Sequence, residues 1–272
     1  MRRLADKVAV VLGAAGRDNM GQAIARRLAQ EGARVLVGGR HEEPLREIAA
    51  EIGGRFALCD ITRKGDVQAL AQCAVDAKGK VEIAINSTGH GHIAKNLETN
   101  QEQIDRLMDL QFKGSFFFLQ VFCEAIARSG GGAVVLTSSA SVRALIFHHA
   151  AYIGTKAGSE ALARCFANEF GSRGVRVNCI APGLTATPMT SREVAMPGLE
   201  EAFVREYPLA RIGTVKDVAD AVLWLAGEEC FMTGETLQVN GGLTLRRNPL
   251  PREINASLAA AGAGSHKKNS QA

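Results

Sequence analysis

The stretch K-V-A-V-V-L-G-A-A-G-R-D-N-M-G-Q-A-I-A, residues 7–25, decides the fold of this chain. Its first half is an apolar, β-branched run that ends at Gly13, as buried strands do. Its second half has helical apolar spacing from about Met20. Glycines at a strand-to-helix turn let the backbone approach a phosphate, and the helix N-terminus adds N–H groups. The stretch predicts a phosphate-binding turn at Gly13, Gly16 and Gly21, although a plain capped turn would look similar.

Strand and helix patterns alternate along the rest of the chain, as far as a last strand at 236–239. Regular alternation predicts a parallel sheet with right-handed crossovers and helices on both faces. One long helix is expected over 101–128 and another over 150–171. The proline-rich stretch 181–213 interrupts the alternation, and we expect a mobile insertion there, over the ligand end of the sheet.

Composition and charge bound the function. The 272 residues contain six cysteines without regular spacing, and the N-terminal apolar run is too short for a signal peptide. We therefore expect reduced thiols and a cytoplasmic protein without a membrane span. The net charge of +4 arises from the residues after 242, so the folded body is formally neutral and nucleic-acid binding is not expected. We predict one catalytic domain over 1–244 and a basic, partly disordered tail over 245–272.

A spaced trio, Ser139, Tyr152 and Lys156, carries the chemistry. The four-residue step from Tyr152 to Lys156 places both side chains on one face of the predicted helix. A neighbouring ammonium is expected to lower the pKa of a phenol from about 10, so that the phenol exchanges a proton near neutral pH. Ser139 adds a hydrogen bond to the same oxygen. This set suits carbonyl–alcohol redox chemistry.

Two arginines point to the cofactor. The second strand ends V-L-V-G-G-R-H, with Arg40 where an NAD-binding protein would carry an acid for the ribose diol. Arg17 lies in the glycine-rich turn. Two guanidinium groups would clamp a 2′-phosphate, which predicts NADP(H) in preference to NAD(H). Alternatively, Arg40 is a solvated loop residue.

Together these motifs resemble the short-chain dehydrogenase/reductase family over residues 5–243. The resemblance rests on the trio with its thirteen-residue step from serine to tyrosine, and on five further segments: L-C-D-I-T at 58–62, N-S-T-G at 86–89, V-R-V-N-C-I-A-P-G at 175–183, R-I-G-T-V-K-D-V-A at 211–219 and T-G-E-T-L-Q-V-N-G-G at 233–242. It implies a single Rossmann-type, doubly wound parallel sheet in the α/β class and a homo-tetramer or dimer.

The resemblance also implies residue roles. Tyr152 is the general acid or base, Lys156 holds the nicotinamide ribose, and Ser139 orients the oxygen of a small ketone or alcohol substrate. Gln111 stands where the family has an asparagine that positions a water in a proton relay. The cofactor-binding positions are Gly13, Gly16, Arg17, Asn19, Met20, Gly21, Arg40, Asp60, Ile61, Asn86, Ser87, Gly89, Tyr152, Lys156, Pro182, Gly183, Thr185 and Thr187.

Departures from the family pattern keep alternatives open. The glycine turn is longer than usual, with Asn19 at the position of the middle glycine, and resembles the turn of the bacterial enoyl-acyl-carrier-protein reductases. Those reductases space tyrosine and lysine by seven, whereas this chain spaces them by four. Gln111 and the long turn also fit a catalytically impaired, NADP(H)-binding regulatory protein. A third alternative is a nucleic-acid-associated protein that uses the basic tail.

Loop histidines provide the substrate hypothesis. Two follow the fourth strand and two precede Tyr152, in loops that border the substrate pocket of the family. They are either pocket residues that bind a polar substrate or surface loop residues. Their spacing does not indicate a metal site. The expected pocket comprises His90, His92, His148, His149, Leu184 and Met189.

Overall fold

The computed structural model describes residues 2–75 and 79–269. Seven parallel strands form one sheet in the order β3-β2-β1-β4-β5-β6-β9, which confirms the predicted doubly wound α/β fold. The strands are β1 (Val8–Leu12), β2 (Arg34–Gly39), β3 (Arg55–Leu58), β4 (Ile83–Asn86), β5 (Gly132–Thr137), β6 (Val175–Pro182) and β9 (Thr236–Val239), with a separate pair β7 (Thr185–Ala186) and β8 (Gly213–Thr214).

Helices follow the strands and cover both faces of the sheet. In chain order they are α1 (Met20–Gln30), α2 (Glu42–Ile52), α3 (Lys64–Ala74), α4 (Gln101–Leu107), α5 (Gly114–Arg128), α6 (Ala150–Phe170), α7 (Ser191–Val194), α8 (Leu199–Val204), α9 (Val215–Ala226) and α10 (Pro251–Asn269). Ligands of such sheets bind at the carboxyl ends of the strands, where the strand order reverses. Here that point lies between β1 and β4.

Two apolar layers hold the sheet. On one face α3, α5 and α6 pack around the fully buried Phe118 and Phe122, whose ring centroids lie 4.5 Å apart. On the other face α1, α2 and α9 pack through Ile24, Leu45 and Val222. Burial of this apolar surface supplies the main favourable free energy of folding. The central strands are buried on both faces. Because the strands are parallel, their carboxyl ends, with their polar groups, meet at one edge of the sheet.

The helix predicted over 101–128 is continuous but not regular. The segment Met108–Lys113, between α4 and α5, is a π-helix. A π-turn adds one residue to the hydrogen-bonded ring and is found most often at functional sites. Gln111 lies within this segment and is buried. The predicted helix over 101–128 is therefore confirmed, and the π-helical segment at Gln111 is a feature that the sequence did not predict.

The insertion and the tail pack on each other. Helix α8 contacts α10, and a β-carbon on Gly198 would lie 2.4 Å from the Ser257 carbonyl oxygen. Asn248 donates a hydrogen bond to the Ala144 carbonyl, in the loop before α6. The tail predicted over 245–272 as partly disordered contains the helix α10, which runs to Asn269. Its last three residues, 270–272, lie outside the described residues.

Candidate active site

The glycine-rich turn is a tight backbone cradle. Gly13 has φ +103°, and a β-carbon there would lie 2.6 Å from the Ser87 carbonyl carbon. A β-carbon on Gly21 would lie 2.5 Å from the Gly13 oxygen. Only glycine fits at these two positions. The turn therefore seats directly on the end of β4, beside the N-terminus of α1.

Asn19 explains how the longer turn holds its shape. Its side chain donates to the Gly13 carbonyl at 2.8 Å and accepts from the Gln22 N–H at 2.9 Å, which caps α1. The extra length is absorbed at Asp18, whose φ is +53°. The first turn of α1, which begins at Met20, contains no acidic residue. Its N–H groups and positive dipole end thus remain suited to a phosphate.

The two predicted clamp arginines have different surroundings. Arg17 forms a bidentate ion pair with Glu47 of α2, at 2.8 and 2.6 Å. Arg40 is exposed at the end of β2 and lies close enough to Asp60 to lower the pKa of that carboxyl. The pKa of Asp60 is raised by burial, but hydrogen bonds from Thr62 and the nearby arginines outweigh that effect. Arg17 is thus engaged by α2, whereas Arg40 lies beside the Asp60 carboxylate.

The ends of β4 and β5 carry polar groups, and two of their hydroxyls are unpaired among the described residues. Asn86 is buried and accepts from the Thr88 N–H at 2.9 Å and from the Thr88 hydroxyl at 2.7 Å. The buried hydroxyls of Ser87 and Thr137 have no hydrogen-bond partner among the described residues. Gly89 follows β4 and is half-buried, whereas the buried Ile61 lies against Gly114 of α5. Buried unpaired hydroxyls cost free energy, and a polar ligand at the strand ends would satisfy them.

The predicted trio meets in the structure. The Tyr152 hydroxyl is hydrogen-bonded to Ser139, and Ser139 Oγ lies 2.8 Å from the hydroxyl of Ser141. Lys156 Nζ donates to the Thr137 carbonyl at 2.7 Å and lies 5.8 Å from the centroid of the Tyr152 ring. Lys156 is only 4% exposed. The geometry places one phenol between a serine hydroxyl and a buried ammonium.

The pKa directions differ from the sequence expectation. Burial raises the pKa of Tyr152, although the hydrogen bond with Ser139 acts to lower it. Burial lowers the pKa of Lys156 to about 8. The expectation that Lys156 lowers the pKa of Tyr152 is wrong for this structure, because the ammonium faces the ring and the Thr137 carbonyl. The raised pKa favours the phenol of Tyr152 over its phenolate.

Gln111 has one defined orientation. Its Nε2 lies 2.8 Å from Thr155 Oγ1, and that hydroxyl in turn donates to the Tyr152 carbonyl at 2.8 Å. Because the Thr155 proton is committed, the hydroxyl accepts from the amide nitrogen of Gln111. The amide oxygen then faces Gly89, where a β-carbon would lie 3.4 Å from both this oxygen and Lys156 Nζ. Sequence reasoning missed Thr155, whose three-residue step from Tyr152 marked the shared helix face.

The loop histidines fall into two groups. His90 is exposed, and its N–H lies 3.5 Å from Gln111 Oε1. The other three histidines lie together. Burial is the main cause of the lowered pKa of His149, and the nearby His148 and His92 lower it further. The His149 ring lies 6.2 Å from the Tyr152 ring. The buried His92 Nε2 has no partner among the residues described.

The loop after β6 contains the remaining predicted site residues. Pro182 ends β6, and the buried Thr185 donates its hydroxyl to the Gly183 carbonyl at 3.0 Å. The Thr187 hydroxyl lies 3.1 Å from that of Thr190. Leu184 packs with the small apolar cluster under α8. In contrast, Met189 is 62% exposed, so the structure does not place it in a closed pocket.

An apolar groove of about 590 Å³ lies at the start of α6. Its lining includes Leu97, Phe147, His148, Ile153 and Gly154. None of the trio lines this groove. His148, however, belongs to the expected substrate pocket, so the groove borders one of the predicted pocket residues.

Comparisons with known proteins identify the family. The sequence profile described as "Enoyl-(Acyl carrier protein) reductase" matches residues 13–244. The chain is 32% identical over 248 residues to the mitochondrial borneol dehydrogenase of Lavandula x intermedia, covering 90% of this chain and 93% of that protein. D-threitol dehydrogenase of Mycolicibacterium smegmatis is 31% identical over 250 residues, with coverage of 90% and 95%. The chain belongs to the short-chain dehydrogenase/reductase family.

A solved structure agrees with this assignment. A short-chain type dehydrogenase/reductase from Mycobacterium ulcerans superposes with a TM-score of 0.86 at 28% identity, covering 90% of this chain and 92% of that one. As a short-chain dehydrogenase/reductase the chain is an oxidoreductase that acts on a CH–OH group, and an NAD(P) cofactor is typical of the family. The glycine cradle and the unpaired hydroxyls at the strand ends fit such a dinucleotide.

The described residues contain neither a metal-binding cluster nor a membrane-spanning helix. Within residues 2–75 and 79–269, no group of three His, Cys, Asp or Glu side chains is arranged to hold a metal ion. In the same part of this short-chain dehydrogenase/reductase, no helix has both the length and the hydrophobicity to cross a membrane.

The buried Lys156 predicts a pH-dependent stability. Its pKa is about 8 in the folded protein and about 10.4 in an unfolded chain, so the unfolded chain binds more protons between these values. Stability then rises with pH through this window. Between pH 8 and 10, the free energy of unfolding of the wild type should gain about 1–3 kcal/mol relative to Lys156→Met. Urea denaturation of the wild type and of Lys156→Met at three pH values measures this difference in the free energy of unfolding.

The control for this experiment is Lys64→Met, which removes an exposed lysine at the start of α3. A difference between wild type and Lys156→Met that stays constant from pH 8 to 10 would contradict the depressed pKa of Lys156.

Proposed function

We propose that this protein is an NADP(H)-dependent oxidoreductase that interconverts a ketone, or a 3-oxoacyl group, and a secondary alcohol. The observation that carries the proposal is the Tyr152 hydroxyl, hydrogen-bonded to Ser139 and adjacent to the buried Lys156. The bound nicotinamide cofactor would give or take the hydride. Every proton that the reaction needs at the substrate oxygen can then come from, or return to, one phenol.

Because the pKa of Tyr152 is raised, we expect reduction and oxidation of the substrate to be favoured in different pH ranges. For reduction, the protonated phenol donates to the substrate oxygen, while Ser139 stabilises the charge that develops there. For oxidation, the phenolate is the base, so this direction should accelerate as the pH rises. Lys156 would bind the nicotinamide ribose, while its contact with Thr137 fixes where its ammonium stands.

Arg40 supports the preference for NADP(H). A guanidinium at the end of β2, beside Asp60, is suited to a 2′-phosphate, whereas an acid at that position would bind a ribose diol. Arg17 contributes less to this proposal than the sequence indicated, because two of its N–H groups already bind Glu47. The adenosine site would then comprise Arg40 with the Asp60 loop.

We propose that Gln111 keeps the proton path that the family builds on asparagine. Thr155 holds the amide nitrogen, and the amide oxygen is directed to the same point beside Gly89 as Lys156 Nζ. The π-helical segment accommodates the longer side chain without loss of burial. By accepting a hydrogen bond, the Gln111 amide oxygen could hold the water that exchanges a proton with Lys156.

The histidines favour a polar group on the substrate. His149 lies beside the Tyr152 ring, and the buried His92 Nε2 has a free hydrogen-bonding position. We propose that these two contact substrate, together with Leu184, and that His90, His148 and Met189 lie further out. The names of the relatives mention borneol and D-threitol, which both contain a secondary hydroxyl group but differ in polarity.

A second candidate is reduction of an enoyl thioester. The description of the matching family profile and the long glycine turn favour it. The four-residue spacing of Tyr152 and Lys156 favours the ketone reductase instead. Parallel assays with ketones and an enoyl thioester distinguish the two, and NADPH binding without turnover would indicate the impaired regulatory protein.

We further propose a homo-tetramer or dimer in the cytoplasm. On the outer surface of α4 and α5, Ile104 is 43% and Phe116 is 38% exposed, which supports helix pairing between subunits. The borneol dehydrogenase relative is named as mitochondrial, so compartments differ among relatives.

Removal of the Tyr152 hydroxyl tests the proposed reaction. Tyr152→Phe should lower kcat by about 10²–10⁴-fold, because the proton donor is lost. The Kd for NADP⁺, measured by calorimetry, should change less than about twofold. The matched control is Tyr207→Phe, at the other tyrosine of the chain, which accepts from the Leu184 N–H and should cost far less. Near-normal turnover by Tyr152→Phe would refute the proposal.

Cofactor preference is tested at Arg40. Arg40→Ala should raise the Kd for NADP⁺ by about 10–100-fold, as expected for loss of a charged hydrogen bond of about 1.5–3 kcal/mol. The Kd for NAD⁺ should stay within about twofold. Arg63→Ala serves as the control, because Arg63 is another exposed arginine that acts on Asp60. A wild-type preference for NAD(H) would exclude the proposed 2′-phosphate site.

The orientation of Gln111 is tested by shortening it. In Gln111→Asn the amide cannot reach Thr155 Oγ1, and kcat should fall by about 3–10-fold, the value of one neutral hydrogen bond. Thr155→Ser retains the acceptor hydroxyl and should stay near the wild type. A large rise in kcat for Gln111→Asn would instead show that the native glutamine impairs the proton path.

A further inference from the structure

Helix α6 contacts the end of β5 through a regular stripe. Three side chains spaced by four residues each contact one of three consecutive residues. The pairs are Tyr152 with Ser139, Lys156 with Thr137 and Glu160 with Ser138. A four-residue step places all three side chains on one helix face. The first two pairs contain the residues of the proposed reaction, whereas neither residue of the third pair is among the predicted site residues.

The Glu160–Ser138 contact is the most constrained of the three. The Ser138 hydroxyl donates to Glu160 Oε1 at 2.5 Å, the distance of a charge-assisted hydrogen bond. Ser138 is only 3% exposed, and its N–H donates to the Ile180 carbonyl of β6 at 2.7 Å. The residue is thus fixed through both its backbone and its side chain. Its chain neighbour is Ser139, whose hydroxyl binds Tyr152.

We propose that Glu160 is a positioning residue for the reaction. By binding the Ser138 hydroxyl, it fixes the backbone after β5 and keeps the Ser139 hydroxyl within reach of Tyr152. This inference rests on the proposed function, because it assigns Glu160 a part in that same site. Glu160 itself does not touch the reacting atoms.

The inference predicts a change at Tyr152. The hydrogen bond from Ser139 acts to lower the pKa of Tyr152, so displacement of Ser139 leaves burial alone and raises that pKa further. The other groups that face this region are Lys156 on α6, the Cys179 thiol on β6 and the His149 ring. Burial is the main cause of the raised pKa of Cys179. Glu160 raises this pKa further and Lys156 lowers it, which shows that the thiol lies near both side chains.

Three single variants test the role of Glu160. Glu160→Leu removes the acceptor and should lower kcat by about 5–50-fold, leaving the Kd for NADP⁺ within about twofold. Glu160→Gln keeps an acceptor oxygen for Ser138 and should recover kcat to within about threefold of wild type. Ser138→Ala should resemble Glu160→Leu, and the double variant should cost no more than either single variant, because both remove one contact.

The readout that separates positioning from simple destabilisation is the titration of Tyr152. In a Tyr207→Phe background, where Tyr152 is the sole tyrosine, tyrosinate absorbance against pH should shift to higher pH in Glu160→Leu. The matched control is Glu169→Leu, which removes an exposed carboxylate on the same helix and should leave this titration unchanged. If Glu160→Leu does not fold, Glu160→Gln and Ser138→Ala supply the same comparison.

The outcomes distinguish the inference from the function on which it rests. Wild-type kcat and an unshifted titration in Glu160→Leu would overturn the positioning role while the ketone reductase assignment stands. Absence of wild-type turnover on every ketone would remove the proposed function. The titration of Tyr152 would still decide whether Glu160 holds Ser139 in place.

Discussion

A buried ammonium that donates to a backbone carbonyl is the contact on which the whole site depends. Lys156 is almost fully removed from water and binds the Thr137 oxygen, which ties α6 to the end of β5. Burial works against the charge, as the pKa of about 8 records. The sheet and the helix layers supply the free energy that offsets this cost. Catalytic geometry is thus maintained by the packed core on both faces.

The same strand edge gathers the rest of the site from distant parts of the chain. The glycine turn after β1 seats on the backbone of Ser87, which follows β4, so two loops share one surface. The π-helical segment brings Gln111 to that surface from the opposite helix layer. Close contacts between backbones leave no room for adjustment, which makes the cradle a rigid platform for a dinucleotide.

Local patterns were enough to predict most of the fold. Strands, helices and their parallel order follow from apolar periodicity and from the regular alternation of elements, and both are properties of neighbouring residues. The π-turn at Gln111 carries no such local signal, because it shifts hydrogen bonds by one residue without changing the apolar spacing. The direction of the Tyr152 pKa also escaped prediction, since it depends on burial and on where Lys156 Nζ points. The Arg17–Glu47 pair joins residues thirty positions apart.

The contact between Asn248 and the loop before α6 has a consequence for the synthesis of the protein. The loop between Ser139 and α6 is held by a hydrogen bond from Asn248, which follows β9. Helix α10 comes next in the chain and packs against α8. A ribosome synthesises these segments after the sheet and its glycine turn, because they follow both in the sequence. The nascent chain would therefore have the strands of the sheet available before the segments that support the loop ahead of α6.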